Sequence, residues 1–205
     1  MSIQLERRDT APMTQARSKL VDITHAGTYH CINRCVRRSW LCGFDKYIQK
    51  SFEHRKSWVE ARILALGDIF AWGVSPEEVA TRWVRLYSAR NAELCAQKVA
   101  AILENPELIA EYRSRLTNLS WLMKSLSEPI ARKPNDEDKV SGRFWEGRFK
   151  CQALLSEKSL LAAMAYVDLN PVRAKIASNI ATSRYTSITM RNQQLQKNPE
   201  RRISL

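Results

Sequence analysis

Tyr166 stands on a segment whose apolar residues recur at helical spacing. Leu160, Leu161, Met164 and Val167 form a stripe, and Tyr166 lies off it beside the small Ala162 and Ala163. A tyrosine on such a flank can present its hydroxyl to a groove. The same position also suits an amphipathic tyrosine at a core edge, with its hydroxyl bonded locally. Asn170 follows four residues later on the same helical face, and Asn before Pro171 is equally a routine helix stop.

The stretch Arg143-Phe144-Trp145-Glu146-Gly147-Arg148-Phe149-Lys150 interleaves bases with aromatics. Arg143, Arg148 and Lys150 can contact phosphates, and an exposed Trp145 can stack on an unpaired base. The competing reading packs Trp145 and Phe149 into the core and pairs Arg148 with an acid. Arg34, Arg37, Arg38, Arg173 and Lys175 extend one positive surface if the segments that carry them lie side by side. The chain's charge agrees with a polyanionic partner. It has 33 Lys and Arg against 21 Asp and Glu, for a net charge of +12.

Metal chemistry has few candidates. The three histidines, His25, His30 and His54, are never two residues apart. Cys31, Cys35 and Cys42 with His30 lack Cys-x-x-Cys spacing, and on a strand Cys31 and Cys35 would sit about 13 Å apart. Zinc is therefore not expected. Five widely spaced cysteines do not make a disulfide framework. With no signal-peptide pattern and no apolar run of membrane-spanning length, the expected setting is a bacterial cytoplasm that keeps thiols reduced.

The elements that must position these residues are mostly helices. Residues 29–36 alternate as a strand, and Gly43-Phe44-Asp45 punctuates a turn. A helix is predicted from about Ser51 to Phe70, with a break at 71–74. Ser75-Pro76-Glu77-Glu78 then reads as an N-cap, a first-turn proline and first-turn acids, opening a helix that runs to about Ser88. Further helices fit 91–103, 106–115 and 117–131. Residues 133–139 read as a loop and 148–154 as a short strand. Ser156 caps a helix that Asn170-Pro171 should end. The tail from Ser187 reads as frayed.

Three segments carry a family resemblance. They are Tyr29-His30-Cys31-Ile32-Asn33-Arg34 with the four residues after it, Gly142 to Lys150, and Ala165-Tyr166-Val167-Asp168-Leu169-Asn170-Pro171-Val172-Arg173-Ala174. Together they resemble the REP-associated tyrosine transposases over most of residues 25–180. The resemblance implies a ferredoxin-like α+β core acting on hairpin or single-stranded DNA. It makes Tyr166 the nucleophile that would form a 5′-phosphotyrosine. It also implies Mg²⁺ or Mn²⁺ held by a His-hydrophobic-His pair, to which Asn170 could add a ligand.

That histidine pair is missing. In the family, a strand pair follows the helix that ends here near Phe70. In this chain Trp72-Gly73-Val74 leads straight into Ser75. The expectation is an internal deletion of two strands and the metal site, leaving a helix-dominated remnant with a small, truncated antiparallel sheet. Its parts are a flexible arm (1–24), a transposase-like domain (25–180) with a helical insert at about 75–132, and a basic tail (181–205). The expected function is DNA binding with impaired or no cleavage and no resident cofactor. The rivals are an active tyrosine transposase and a helical interaction module, and a homodimer is open because lost strands would bare a sheet edge.

Overall fold

The computed structural model describes residues 27–36, 43–87, 91–183 and 185–197. Among them are β1 (Tyr29–Ile32), β2 (Phe44–Asp45), β3 (Lys50–Ser51), α1 (His54–Gly67), α2 (Pro76–Tyr87), α3 (Ala92–Leu103), α4 (Pro106–Leu116), α5 (Leu119–Asp138), β4 (Lys150–Ala153), α6 (Glu157–Arg173) and α7 (Ser187–Lys197). The fold is helix-rich α+β. The arm at 1–24 and residues Arg37, Arg38 and Cys42 lie outside the described residues.

Local sequence starts most of the helices. Ser75 Oγ accepts from Glu78 N at 3.3 Å, and Glu78 Oε2 accepts from Ser75 N at 3.4 Å, a reciprocal capping box. Asn91, Asn105 and Asn118 cap α3, α4 and α5 through their side-chain oxygens, and Ser156 with Ser159 boxes the start of α6. Each such cap is worth about 1 kcal/mol.

The core lies among the helices. Leu66 of α1 and Ile69 just beyond it pack with Val79, Ala80 and Val84 of α2, Ile102 of α3, and Ile109 and Leu116 of α4. Trp83 stacks on Tyr112 at 4.1 Å and 9°, and Arg115 covers Trp121 at 4.6 Å. No buried apolar residue among those described belongs to β1, β4 or α6.

Two prolines lie inside α5. Residues 133–139, read from sequence as a loop, are helical through Asp138. An internal proline removes one backbone donor and costs about 3 kcal/mol in an isolated helix. Tertiary contacts override that cost here. Pro129 leaves the Ser125 carbonyl without its helical partner, and Arg62 Nε donates to it at 3.1 Å. Pro134 is fully buried. Beyond it, Arg55 of α1 grips the helix end, with Nε 2.8 Å from Glu137 Oε2 and Nη2 2.5 Å from Asp138 Oδ1. The helix closes at Lys139 in the left-handed region, where Val140 N reaches Asn135 O at 2.9 Å.

Other expectations also change. The 44–45 turn is strand β2, paired with β3 around a turn that has Gln49 at φ 52°. Helix α1 therefore starts at His54, after β3. Helix α6 runs past Asn170-Pro171 to Arg173. Its end is a full Schellman motif: Lys175 takes φ 56°, Lys175 N bonds Val172 O at 3.0 Å, and Ile176 N bonds Pro171 O at 2.8 Å. The tail is not frayed over 187–197. The carboxylate of Asp168, on α6, accepts from Ser187 Oγ at 3.0 Å and Ile188 N at 3.1 Å, which caps α7 from 19–20 residues away.

The main sheet is β1 paired antiparallel with β4, with His30 opposite Gln152, Cys31 opposite Cys151 and Ile32 opposite Lys150. The pairing continues loosely through a bridge between Cys35 and Trp145. No strand lies between Gly67 and Pro76, and β1 has no second partner strand among the described residues.

Candidate nucleic-acid interface

Both strand motifs hang from one point on α5. Trp145 Nε1 donates to Ser127 O at 2.8 Å, and Asn33 Nδ2 donates to Ser127 Oγ at 2.9 Å. Phe144 is buried beside them, edge-on to Trp145 at 4.8 Å. Trp145 is thus a half-buried strut that fixes the ribbon to the helical body, with its indole N–H already used. Around it, Arg34, Arg143, Arg148 and Lys150 are exposed. Arg34 O accepts from Glu146 N at 2.8 Å, so the two basic segments do lie side by side.

Strand alternation sorts the sheet faces. Residues opposite each other share a face, so His30, Ile32, Lys150 and Gln152 point one way and Tyr29, Cys31, Cys151 and Ala153 the other. Tyr166 meets the first face: its ring lies 5.9 Å from that of His30, edge to face. The Arg173 guanidinium also sits 5.5 Å from the Tyr166 ring centroid. Tyr166 is 45% exposed, too open for a core residue. At 100° per residue, Tyr166, Asn170 and Arg173 share a stripe about 60° wide, and Asp168 points to the opposite side of the helix. Helix α6 therefore turns a hydroxyl, an amide and a guanidinium toward the sheet side and a buried carboxylate toward α7. The apolar stripe read from sequence is largely uncovered, since Leu161 is 60% and Val167 42% exposed.

The donor set around Tyr166 does not fit a divalent metal of the kind that the resemblance implies. His30 supplies one imidazole there and Asn170 one amide. His54 is engaged elsewhere, with Nε2 2.9 Å from Glu137 Oε1 and its ring on Trp58. Among the described residues no three His, Cys, Asp or Glu side chains gather as a metal site. His25 lies outside them. Cys31 and Cys151 face each other across the strands as free thiols. Burial first, then the neighbouring Cys151 and its hydrogen bond, push the Cys31 thiol up to about 12.

Sequence reasoning missed His30 as the neighbour of Tyr166 and Asp168 as the cap of α7. The placement of His30 needs the strand register. For Asp168 the available signal was an acid within an otherwise apolar helix segment.

The chain matches no family model, no curated protein and no solved structure. Among the described residues no helix is long and apolar enough to cross a membrane.

Proposed function

We propose that this chain is a transposase-derived DNA-binding protein, ferredoxin-like in ancestry, that holds hairpin or single-stranded DNA and cleaves it poorly or not at all. One observation carries the reading. Three motifs, the first more than a hundred residues from the other two, converge, with β1 paired to β4 and Tyr166 near both His30 and Arg173. The exposed Arg34, Arg143, Arg148 and Lys150 adjoin them. A phosphate laid along this ribbon would meet cations from both strand motifs and from α6.

Cleavage is a separate matter. Tyr166 keeps the position of a nucleophile, with Arg173 placed to help hold a phosphate. The His-hydrophobic-His pair that the resemblance implies is missing from the sequence, and the direct passage from α1 to α2 supports loss of the two-strand unit that would carry it. Losing Lewis-acid assistance costs several kcal/mol of transition-state stabilisation. The test is to incubate the protein with a DNA hairpin and Mg²⁺ or Mn²⁺ and resolve the products under denaturing conditions. The expected result is reversible, salt-sensitive binding without a covalent adduct. An adduct that Tyr166→Phe abolishes would replace this reading with that of an active tyrosine transposase.

A second reading, a protein-interaction module, is favoured by the exposed Leu155, Leu161, Leu169 and Ile176 on and around α6. It requires self-association or capture of another protein together with no DNA binding at low salt. Light scattering and a DNA titration on one sample separate the two.

A further inference from the structure

A second basic surface lies away from Tyr166, on the helical body. Helices α1 and α5 run antiparallel, since Arg55 meets Glu137 at one end and Arg62 meets Ser125 at the other. Where the end of α2 comes alongside, a groove of ≈ 630 Å³ remains, lined by Arg62, Tyr87, Lys124, Ser125 and Lys133 among others. Three features point to a ligand. The ammonium groups of Lys124 and Lys133 rest on the rings of Trp121 and Trp58, at 4.9 Å and 3.9 Å, and among the described residues neither is paired with a carboxylate. Ser125 is 6% exposed and its Oγ has no hydrogen-bond partner among the described residues. An unmatched buried hydroxyl is unfavourable, and a ligand or water that pairs with it recovers that cost. Tyr87, 56% exposed, stands at the rim as a face on which a base or sugar could pack.

The groove's own acids do not cancel this charge. Glu128 is paired with Arg132, which leaves Asp136 against Arg62, Lys124 and Lys133. Lys124 and Lys133 are nine residues apart on α5, about 14 Å along its axis and about half a turn around it, so they flank the groove at its two edges.

We propose that this groove between α1, α2 and α5 is a second nucleic-acid contact that grips the phosphodiester backbone. The proposal rests on the DNA-binding reading and adds a site to it. The sheet and Tyr166 would take one part of the DNA, and the helical body would hold the backbone of another. Lysines already lying on indoles lose little freedom when a phosphate arrives, which favours binding.

The test uses a fluorescein-labelled DNA hairpin, the full chain and a series of salt concentrations. Lys124→Gln with Lys133→Gln should lower the slope of log affinity against log salt by up to about 1.8, because each lost phosphate contact removes about 0.9. At about 0.1 M salt this corresponds to at most a ~60-fold loss of affinity. In the wild-type protein, bound hairpin should protect Lys124 and Lys133 from acetylation, a readout that a purely structural role would not move. Circular dichroism confirms that the variant is folded. Wild-type slope and unprotected lysines overturn the groove and leave the DNA reading standing, provided Arg148→Gln with Lys150→Gln still weakens binding. No hairpin binding even at low salt overturns both. Lysine protection by polyglutamate and not by DNA overturns the groove's assignment in favour of an acidic protein partner.

Discussion

Arg55 offers the sharpest test of the packing. Its side chain is 1% exposed, lies 4.1 Å over the Phe52 ring, and reaches Glu137 and Asp138, whose side chains are 31% and 23% exposed. The burial is unequal, so the two halves of the clasp should not cost the same. Arg55→Met removes the buried charge, keeps an apolar stem on Phe52, and leaves two carboxylates that water still reaches. A cost of about 1–2 kcal/mol follows, set by lost charge-assisted hydrogen bonds with little stranded charge. Glu137→Leu with Asp138→Leu does the reverse and strands a guanidinium in the interior, which costs about 3–5 kcal/mol. Urea denaturation followed by circular dichroism measures both without adding salt. The acid double variant should unfold at clearly lower urea than Arg55→Met, with similar slopes. Equal costs, or the opposite order, would refute the claim that a desolvated Arg55 holds α5 helical past Pro134. The pH dependence follows from the same geometry. Burial alone would raise the Glu137 carboxyl, but the hydrogen bond and charge of Arg55, helped by His54, outweigh it and hold the carboxyl below its usual range. Its folded value is thus below its unfolded one. The stability it contributes is present above the ordinary glutamate range and is lost as pH falls through the depressed value. Arg55→Met should flatten this acid limb.

Other outcomes follow. Asp168→Ala should unravel α7, costing about 1–3 kcal/mol through lost cap and Arg191 contacts; faster amide exchange confined first to 187–197 checks it. Lys175→Gly should stabilise the chain by about 0.5–1 kcal/mol, because glycine adopts the left-handed turn without a Cβ penalty; a rise in thermal midpoint reads it. Cys31 keeps its proton until about pH 12 in the folded protein, above the ordinary thiol value of 9.0. Its folded value is raised, so its contribution to stability is whole below about pH 9 and falls away as pH rises toward 12. Its alkylation in the native state should stay slow at mildly alkaline pH and become fast in urea.

Elements governed by neighbours in sequence were legible. The caps at Ser75 and Ser156 are read directly from the sequence, and the helices at 91–103, 106–115 and 117–131 begin at asparagines that cap them locally. What failed was decided at long range. Pro134 and Pro171 read as stops, but Arg55, 82 residues from Glu137, holds one helix end and a Schellman turn closes the other. The tail looked frayed because the acid that caps it belongs to another helix. At the candidate site, Tyr166 and the basic segments were legible by residue type. The seating of Tyr166 on His30 was not, because it depends on strand pairing across more than a hundred residues.

The central claim is that the ribbon of β1, β4 and α6 binds DNA through phosphate contacts. The direct measurement is fluorescence anisotropy of a labelled hairpin across salt concentrations, with wild type beside Arg148→Gln/Lys150→Gln/Arg173→Gln. The expected result is tight binding at low salt, a steep negative slope, and a slope shallower by up to about 2.7 in the triple variant, at about 0.9 for each contact removed. Absence of binding at about 50 mM salt, or a triple variant that binds like wild type, would contradict it.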